Sequence, residues 1–212
     1  MIDLFPFAIG DAKGRFRRLV LALLGLLVLT GPAIEAARAS GEAQAWAALS
    51  SDRGAIAVMR HALAPGTGDP ADFRLDDCTT QRNLDERGRA QARAIGAAFR
   101  ARGIAVDRVL TSQWCRARET AALLGLGEVQ ELPDLNSFFA DRREAESQTQ
   151  RLAAAIRALP RGTVAVLVTH QVNITALTGV YPSSGEIIVG RPEGEVFTVI
   201  GRIALPAPPG GS

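Results

Sequence analysis

The chain has 212 residues, of which 47% are hydrophobic and 22% are charged. This composition suits one globular domain with a sizeable core and excludes an intrinsically disordered chain. The formal net charge is only +2, and the basic residues are spread along the chain, so no basic block indicates a nucleic-acid partner.

The N-terminal segment has the parts of a secretory signal peptide. A basic flank precedes the apolar run 19–29, and an Ala-Arg-Ala sequence ending at Ala39 offers a cleavage site. We predict a signal peptide over 1–39, a lead-in segment over 40–53, and a periplasmic or secreted protein. An uncleaved membrane anchor is the alternative, although the run is shorter than the roughly 20 residues of a bilayer-spanning helix. After cleavage the chain is formally neutral, and we expect no stable membrane insertion.

From residue 54 to residue 203, strand-like and helix-like segments alternate. Apolar runs predict strands at 55–59, 108–111, 128–132, 163–169, 186–189 and 196–203. Helical patterns occur at 85–103, 116–124, 141–159 and 173–178. The alternation predicts a three-layer α/β/α sandwich with a largely parallel central sheet, followed by a disordered tail at 204–212.

A long polar loop, residues 62–83, separates the first predicted strand from the first helix. A loop of this length inside a compact domain is usually functional or disordered. The two cysteines, Cys78 and Cys115, are an even count that favours a disulfide in an oxidising compartment. Two separate thiols are the alternative.

Both histidines of the chain follow a predicted strand directly. His61 comes after Arg60 at the end of the first strand, and His170 follows the run 163–169. Arg116 stands at the start of the helix after the second strand. Because ligands of open α/β sheets bind beyond the carboxyl ends of the strands, we expect these four side chains at one site.

Two imidazoles and two guanidinium groups suit a phosphate better than a metal ion. The planar donors of arginine match phosphate oxygens, and a helix N-terminus adds partial positive charge. Adjacent guanidinium groups repel a divalent cation, so we predict no metal and no other cofactor. An imidazole in such a pocket could attack phosphorus, but the residue types alone do not separate attack from simple binding.

Four segments together resemble the histidine phosphatase superfamily, the phosphoglycerate-mutase-like group, in its branch 1 form. They are MRH at 59–61, NLDERGRAQA at 83–92, SQWCRARETA at 112–121 and VTHQVNI at 168–174. The resemblance covers about residues 54–203. It implies that His61 is the nucleophile that becomes phosphorylated. It also implies that Arg60 and Arg116 grip the phosphoryl oxygens and that His170 donates a hydrogen bond to the phosphate.

The chain departs from the family pattern at the acid that protonates the leaving oxygen. Many members carry a glutamate after the third strand, where this chain has Ser137. Asp134, Asp76 and Asp77 are the carboxylates that could replace it, or none does. Without such an acid, the enzyme would favour leaving groups that need no protonation.

Two smaller departures are Ala62 and Gln171, which replace glycines common in the family, and we expect Gln171 to contact the substrate. Cys115 directly precedes Arg116, so a bridge to Cys78 would pin the long loop near the phosphate site. A cysteine nucleophile at Cys115 is the alternative, against which stands the lack of a glycine-rich cradle around it.

The resemblance therefore predicts an exported, metal-independent phosphatase that hydrolyses phosphomonoesters through a phosphohistidine on His61. Its expected substrate is a phosphorylated small molecule or an envelope phosphosugar. Two alternatives stay open: a non-catalytic protein of the same fold that binds a phosphorylated ligand, and a phosphomutase.

Overall fold

The computed structural model of the protein describes residues 30–51 and 54–205. The apolar run 19–29 of the predicted signal peptide lies outside the described residues, and so do residues 206–212 of the predicted tail. Within the described part of the chain, no helix has the length and apolar character needed to cross a membrane.

The chain divides into two units, Met1–Ser40 and Gly41–Ser212. Helix α1 (Thr30–Ser51) is continuous past Ala39, the residue before the predicted cleavage site. The segment 40–53, predicted as a lead-in, is therefore helical as far as Ser51. Its alanine-rich sequence explains this, because alanine has the highest helix propensity.

The second unit is built on one six-stranded sheet in the order β3-β2-β4-β1-β5-β6. The strands are β1 (Ile56–Arg60), β2 (Arg108–Thr111), β3 (Val129–Glu131), β4 (Ala165–Thr169), β5 (Ile187–Glu193) and β6 (Val196–Ile203). The first four in the chain are parallel to one another, β5 is antiparallel to β1, and β5 and β6 form an antiparallel hairpin at one edge. The prediction of a largely parallel sheet is confirmed.

Helices cover both faces of this sheet. After α1 they are α2 (Glu86–Ala101), α3 (Cys115–Leu124), α4 (Ala145–Arg157) and α5 (Gln171–Thr178). Short 3₁₀ turns lie at Cys78–Thr80, Pro133–Leu135 and Arg142–Glu144. Asp85 begins α2 as its N-cap, since its carboxylate accepts a hydrogen bond from the backbone N–H of Gly88 at 2.8 Å.

The core lies in two layers, one on each face of the sheet. Along β1, Ala57 and Met59 pack with residues of α1, α2 and α3, whereas Ile56 and Val58 pack with residues of α4 and α5. All five residues of β4 are buried, as expected for a central strand with helices on both faces. This arrangement confirms the three-layer α/β/α sandwich.

The hairpin differs from the prediction because β5 continues through Glu193, whereas the predicted strand ends at residue 189. Strand β1 pairs with β5 only as far as Gly190, so one edge of β5 is open beyond that point. Pro192 lies in this part of the strand, opposite Phe197 of β6. A proline is tolerated there because an open edge needs no second N–H donor.

Candidate active site

Neighbouring parallel strands bring the predicted site residues together. In the pairing of β1 with β4, Arg60 lies opposite Thr169, and the N–H of His61 donates to the carbonyl of Thr169 at 2.9 Å. The residues that follow the two strands are therefore adjacent, and the rings of His61 and His170 have their centres 5.4 Å apart. Arg116, in the first turn of α3, places its Nε 3.3 Å from Nε2 of His61.

These four residues and Gln171 line one pocket with a volume of about 140 Å³. The structure thus brings together every residue that the sequence analysis placed at the site.

His61 is buried, and its hydrogen bonds define which ring nitrogen carries the proton. Its Nδ1 lies 2.8 Å from the carbonyl oxygen of Ala62. Because a carbonyl only accepts hydrogen bonds, Nδ1 carries the proton and Nε2 carries the lone pair. Burial, followed by the charge of Arg116, lowers the pKa of His61 well below its usual value. His61 is therefore a neutral imidazole at neutral pH, and the lone pair on its Nε2 accepts a hydrogen bond from Nε of Arg116 at 3.3 Å.

The backbone after His61 is held by residues of the two motifs that carry the family resemblance. The N–H of Ala62 donates to Oγ1 of Thr120 at 3.0 Å, and the N–H of Leu63 donates to Oε1 of Gln91 at 3.0 Å. A Cβ on Gly88 would lie 1.9 Å from the carbonyl oxygen of Leu63, so only glycine allows α2 to approach this closely. The motif residues Gly88, Gln91 and Thr120 therefore hold the segment that presents His61.

The sequence analysis missed Asp69, which lies in the long loop and lines the pocket. Its carboxylate makes a two-point ion pair with Arg116, through Nη1 at 2.5 Å and Nη2 at 3.0 Å, and accepts from Nε1 of Trp114 at 3.1 Å. Burial acts to raise the pKa of Asp69, but the hydrogen bonds and charge of Arg116 outweigh it and lower the pKa overall. Asp69 is therefore ionised, and it already accepts hydrogen bonds from Nη1 and Nη2 of Arg116.

One sequence signal could have identified this part of the loop. Gly66 and Gly68 adopt positive φ angles of 90° and 71°, which glycine accommodates without strain, and both line the pocket. As a sequence pattern, however, a glycine pair without the flanking strand and helix of a nucleotide-binding loop is a weak signal.

Arg82 is a third arginine of the pocket that the sequence analysis missed. Its Nε donates to the carbonyl of Gly68 at 2.7 Å, and its Nη1 donates to the carbonyl of Ala64 at 2.5 Å. Burial, together with the nearby charge of Arg116, lowers its pKa to about 10, so it stays positively charged at neutral pH. Arg82 therefore fixes the glycine-containing part of the loop and adds positive charge to the pocket.

His170 is buried against a serine on the neighbouring strand end. Its Nε2 lies 2.8 Å from Oγ of Ser112, which in turn accepts from the N–H of Trp114 at 3.2 Å. The Ser112 hydroxyl also donates to Oδ1 of Asn136 at 3.3 Å, and because a hydroxyl both donates and accepts it can pair with either tautomer of the neutral His170 ring. Burial, followed by the neighbouring His61, lowers the pKa of His170 well below its usual value.

Three buried side-chain polar atoms of the described residues have no hydrogen-bond partner, namely Arg60 Nε, His170 Nδ1 and Asn173 Oδ1. The first two belong to residues that line the pocket. Arg60 is anchored through Nη1, which donates to the carbonyl of Pro182 at 3.0 Å, so its Nε is held in place without a partner.

The carboxylates considered as leaving-group acids lie outside the pocket lining. Asp134 pairs with Arg151 at 2.8 Å, Asp77 caps the 3₁₀ turn Cys78–Thr80, and Asp76 is exposed. Ser137, which stands where the family has glutamate, does line the pocket. The lining of this pocket therefore contains one carboxylate, Asp69.

The predicted disulfide between Cys78 and Cys115 is present, with a Cα–Cα distance of 5.7 Å. Beside it, the N–H of Cys115 donates to Oε1 of Gln81 at 2.9 Å. The long loop is thus attached to the start of α3, next to Arg116. In this state Cys115 has no free thiol, which argues against the alternative of a cysteine nucleophile.

The positive charge of the pocket comes from guanidinium groups. Within the part of the chain that the structure describes, no three side chains of His, Cys, Asp or Glu gather in a way that could hold a metal ion. Two neutral imidazoles among three arginines instead form a site for a small, highly charged anion such as a phosphoryl group.

Residues 56–150 match the family model of the histidine phosphatase superfamily, branch 1. This match confirms the predicted resemblance to that superfamily. Solved structures share the fold of this chain across most of their own length, as the following comparisons show.

The protein histidine phosphatase SixA in complex with tungstate is 18% identical, with a TM-score of 0.51, and the match covers 71% of this chain and 96% of that one. The mycobacterial glucosyl-3-phosphoglycerate phosphatase with VO3 is also 18% identical, with a TM-score of 0.51 and coverages of 69% and 96%. The phosphoserine phosphatase of Entamoeba histolytica with 3-phosphoglyceric acid is 13% identical, with a TM-score of 0.51 and coverages of 71% and 97%. At these identities the similarity concerns the fold. Comparison with curated protein sequences gives no match.

Proposed function

We propose that this histidine phosphatase is an exported, metal-independent enzyme that hydrolyses phosphomonoesters of small molecules through a phosphohistidine on His61. The observation that carries the proposal is a pair of buried nitrogen atoms without partners at the pocket, Arg60 Nε and His170 Nδ1. Buried polar groups in folded proteins almost always have partners, so two unpartnered nitrogens at one pocket indicate a polar ligand. The oxygens of a phosphoryl dianion would accept from Arg60 Nε and from a protonated Nδ1 of His170.

The first step is attack by His61 on phosphorus. The lone pair on Nε2 forms an N–P bond while the bond from phosphorus to the leaving oxygen breaks, and that oxygen keeps the electron pair. The ring becomes positively charged, and its Nδ1–H continues to donate to the carbonyl of Ala62, which lies 2.8 Å away. Arg60 and Arg116 stabilise the charge on the phosphoryl oxygens during the transfer.

The second step regenerates His61. A water oxygen forms a bond to phosphorus while the N–P bond breaks, and the electron pair returns to Nε2. One water proton stays on the released hydrogen phosphate, and the other passes to solvent, which supplies the proton for the departed oxygen. The side chain of His61 is then neutral again, in agreement with its burial and lowered pKa.

Two of the similar structures support a phosphate-sized ligand, because they were determined with tungstate and with VO3, oxyanions that resemble phosphate. Export is supported by the signal-like pattern of residues 1–39 and by the disulfide between Cys78 and Cys115. Disulfides persist in the periplasm and outside the cell and are rare in the cytosol.

The decisive experiment compares the wild type with His61→Gln, which keeps a polar side chain but has no nucleophilic ring. Both proteins are incubated with 4-nitrophenyl phosphate, phosphate release is measured, and the phosphoenzyme is trapped in base and located by mass spectrometry. We expect turnover and a phosphate on His61 in the wild type, and a loss of at least about a thousandfold in the variant.

The same experiment separates the alternatives. A wild type that binds inorganic phosphate but neither releases phosphate nor becomes labelled would be a binding protein, and the enzymatic proposal would be wrong. Val196→Ala serves as the control, because Val196 is exposed and lies away from this pocket.

A further inference from the structure

The mouth of the pocket carries an unusual concentration of exposed aromatic surface. Three large hydrophobic side chains of the described residues are exposed: Tyr181 at 68%, Val196 at 65% and Phe139 at 47%. Both aromatic members of this set line the active-site pocket, and Val196 does not. Large exposed aromatic side chains beside a polar site indicate a surface that is covered when a ligand binds.

The two rings approach the site from different connections of the fold. Phe139 follows the 3₁₀ turn Pro133–Leu135, and its ring lies beside the loop glycine Gly68, where an added methyl group would be 3.9 Å from its edge. Tyr181 follows α5 and stands next to Pro182, whose carbonyl anchors Arg60. A group attached to a phosphate held by Arg60 therefore leaves the pocket past both rings.

The first condition on the group attached to the phosphate is contact with the two rings, and the chemistry of the pocket sets a second condition. The single carboxylate of the lining, Asp69, is ionised and bound to Arg116 at two points, so it holds no proton to give to a leaving oxygen. Without a proton donor, the rate depends on how stable the leaving group is as an anion. A phenol ionises with a pKa of about 10, whereas the value for water is about 16 and aliphatic hydroxyls are similarly weak acids.

We propose that the preferred substrates are phosphate monoesters of aromatic hydroxyl compounds, with the aromatic leaving group packed against Phe139 and Tyr181. This inference rests on the proposed phosphatase function and names its substrate class. It selects against the alkyl phosphates, including phosphosugars, among the small molecules that the sequence analysis left open.

The test uses the full-length chain with three substrates that separate the two conditions. Phenyl phosphate has an aromatic leaving group, acetyl phosphate has an acidic leaving group without a ring, and glycerol phosphate has neither property. We expect kcat/KM for phenyl phosphate and for acetyl phosphate to exceed that for glycerol phosphate, because only glycerol phosphate has a weakly acidic leaving group. A peptide that contains phosphotyrosine forms a fourth arm, which distinguishes a free aryl phosphate from the same chemistry on a protein.

Variants of Phe139 and Tyr181 test whether their rings cause the preference for an aromatic leaving group. Because aromatic pairs contribute about 0.5–1.5 kcal/mol, we expect Phe139→Ala and Tyr181→Ala each to lower the ratio of kcat/KM for phenyl phosphate to that for acetyl phosphate by about 2- to 13-fold. Tyr181→Phe keeps the ring and should keep the ratio, and Val196→Ala should match the wild type on all substrates.

Asp69→Asn tests the second condition. We expect it to change phenyl and glycerol phosphate turnover in parallel, whereas a selective loss on glycerol phosphate would identify Asp69 as the missing acid and overturn the inference. Equal rates on phenyl and glycerol phosphate, or ratios unmoved by both alanine variants, would also overturn it. In those cases phosphate release through His61 would leave the proposed function standing, whereas no release from any substrate would contradict the proposed function itself.

Discussion

Two regions of the molecule build the site in different ways. The strand-end cluster consists of Arg60, the last residue of β1, with His61 and His170, which directly follow β1 and β4, and the residues of these strands are almost all buried. The covering loop, residues 62–83, has only one 3₁₀ turn of its own and is held by polar contacts and a disulfide. The cluster therefore owes its geometry to the core of the domain, whereas the loop owes its geometry to a few specific attachments.

The two regions therefore have different proposed roles, one in the reaction itself and one in selecting the substrate. The groups proposed to react lie on the most rigid part of the fold, where small displacements are costly for catalysis. The covering loop supplies Asp69 and Arg82, which modify the charge around Arg116. Changes at the attachments of the two regions should therefore have unequal effects on turnover.

The largest effect is expected where α2 supports the strand-end cluster. In Gly88→Ala the new Cβ would lie 1.9 Å from the carbonyl oxygen of Leu63, so the segment after His61 or the whole helix must move. We expect kcat/KM for phenyl phosphate to fall by about a hundredfold, as a displacement of about 1 Å can cause. The free energy of unfolding should fall by about 1–3 kcal/mol.

Turnover of the Gly88→Ala variant must be measured at a temperature where denaturant titration shows it to be folded. The matched control is Gly41→Ala, since a Cβ on this helical glycine meets nothing within 4 Å. That variant should be as stable as the wild type or slightly more so, because alanine favours a helix over glycine. Wild-type kcat/KM in folded Gly88→Ala would contradict the view that α2 positions His61.

A smaller effect on turnover is expected from releasing the covering loop. The double variant Cys78→Ser with Cys115→Ser removes a bridge with a sequence separation of 37. The chain-entropy model predicts a loss of about 3–4 kcal/mol in the free energy of unfolding. We expect kcat/KM to fall less than tenfold, because the strand-end cluster does not depend on the bridge for its position.

The control for this experiment is a reducing agent, which should destabilise the wild type and leave the double variant unchanged. A loss of turnover as large as that of His61→Gln would show that the covering loop, and not the sheet, positions the reacting groups.

The same division explains how much the sequence alone could predict. The strand-end cluster was predictable, because apolar runs locate the strands and parallel strands must deliver His61 and His170 to one edge. The disulfide could be predicted from two cysteines in a chain with an export signal pattern. The motif that contains Gly88 could be recognised from its resemblance to the family. The physical reason for a glycine there, the close approach of α2 to the backbone of Leu63, is visible only in the structure.

The covering loop could not be predicted in the same way. Its four aspartates look alike in the sequence, and only the loop path shows that Asp69 reaches Arg116 while Asp76 stays exposed. Phe139 and Tyr181 carry no periodic signal, because each is a single residue in an irregular segment. The part of the site that selects a substrate is thus the part for which local sequence patterns are least informative.

The smallest effect concerns the protonation of the strand-end cluster, and it can be observed without substrate. The chain has two histidines, His61 and His170, and burial lowers the pKa of both well below the usual value of 6.5. In a titration of the imidazole nitrogens by NMR, we expect both rings to be neutral at pH 6.5. The proton should be on Nδ1 of His61, where it bonds to the carbonyl of Ala62.

The free energy of unfolding should also depend on pH, and the lowered pKa values of the two histidines set the direction of that dependence. Below pH 6.5 the histidines of the unfolded chain bind protons that the folded protein does not, so the free energy of unfolding falls as the pH falls. The slope should approach about 1.4 kcal/mol per pH unit for each histidine, and neither residue should contribute above neutral pH. In His61→Gln about half of this slope should be lost.

Two histidines that titrate near 6.5 in the folded protein would contradict a neutral, buried nucleophile, and the acidic limit of turnover would then lie at the same pH. A neutral pair instead allows turnover of a dianionic ester to continue until the substrate itself is protonated, which places the titration of the ester, and not that of His61, at the acidic limit.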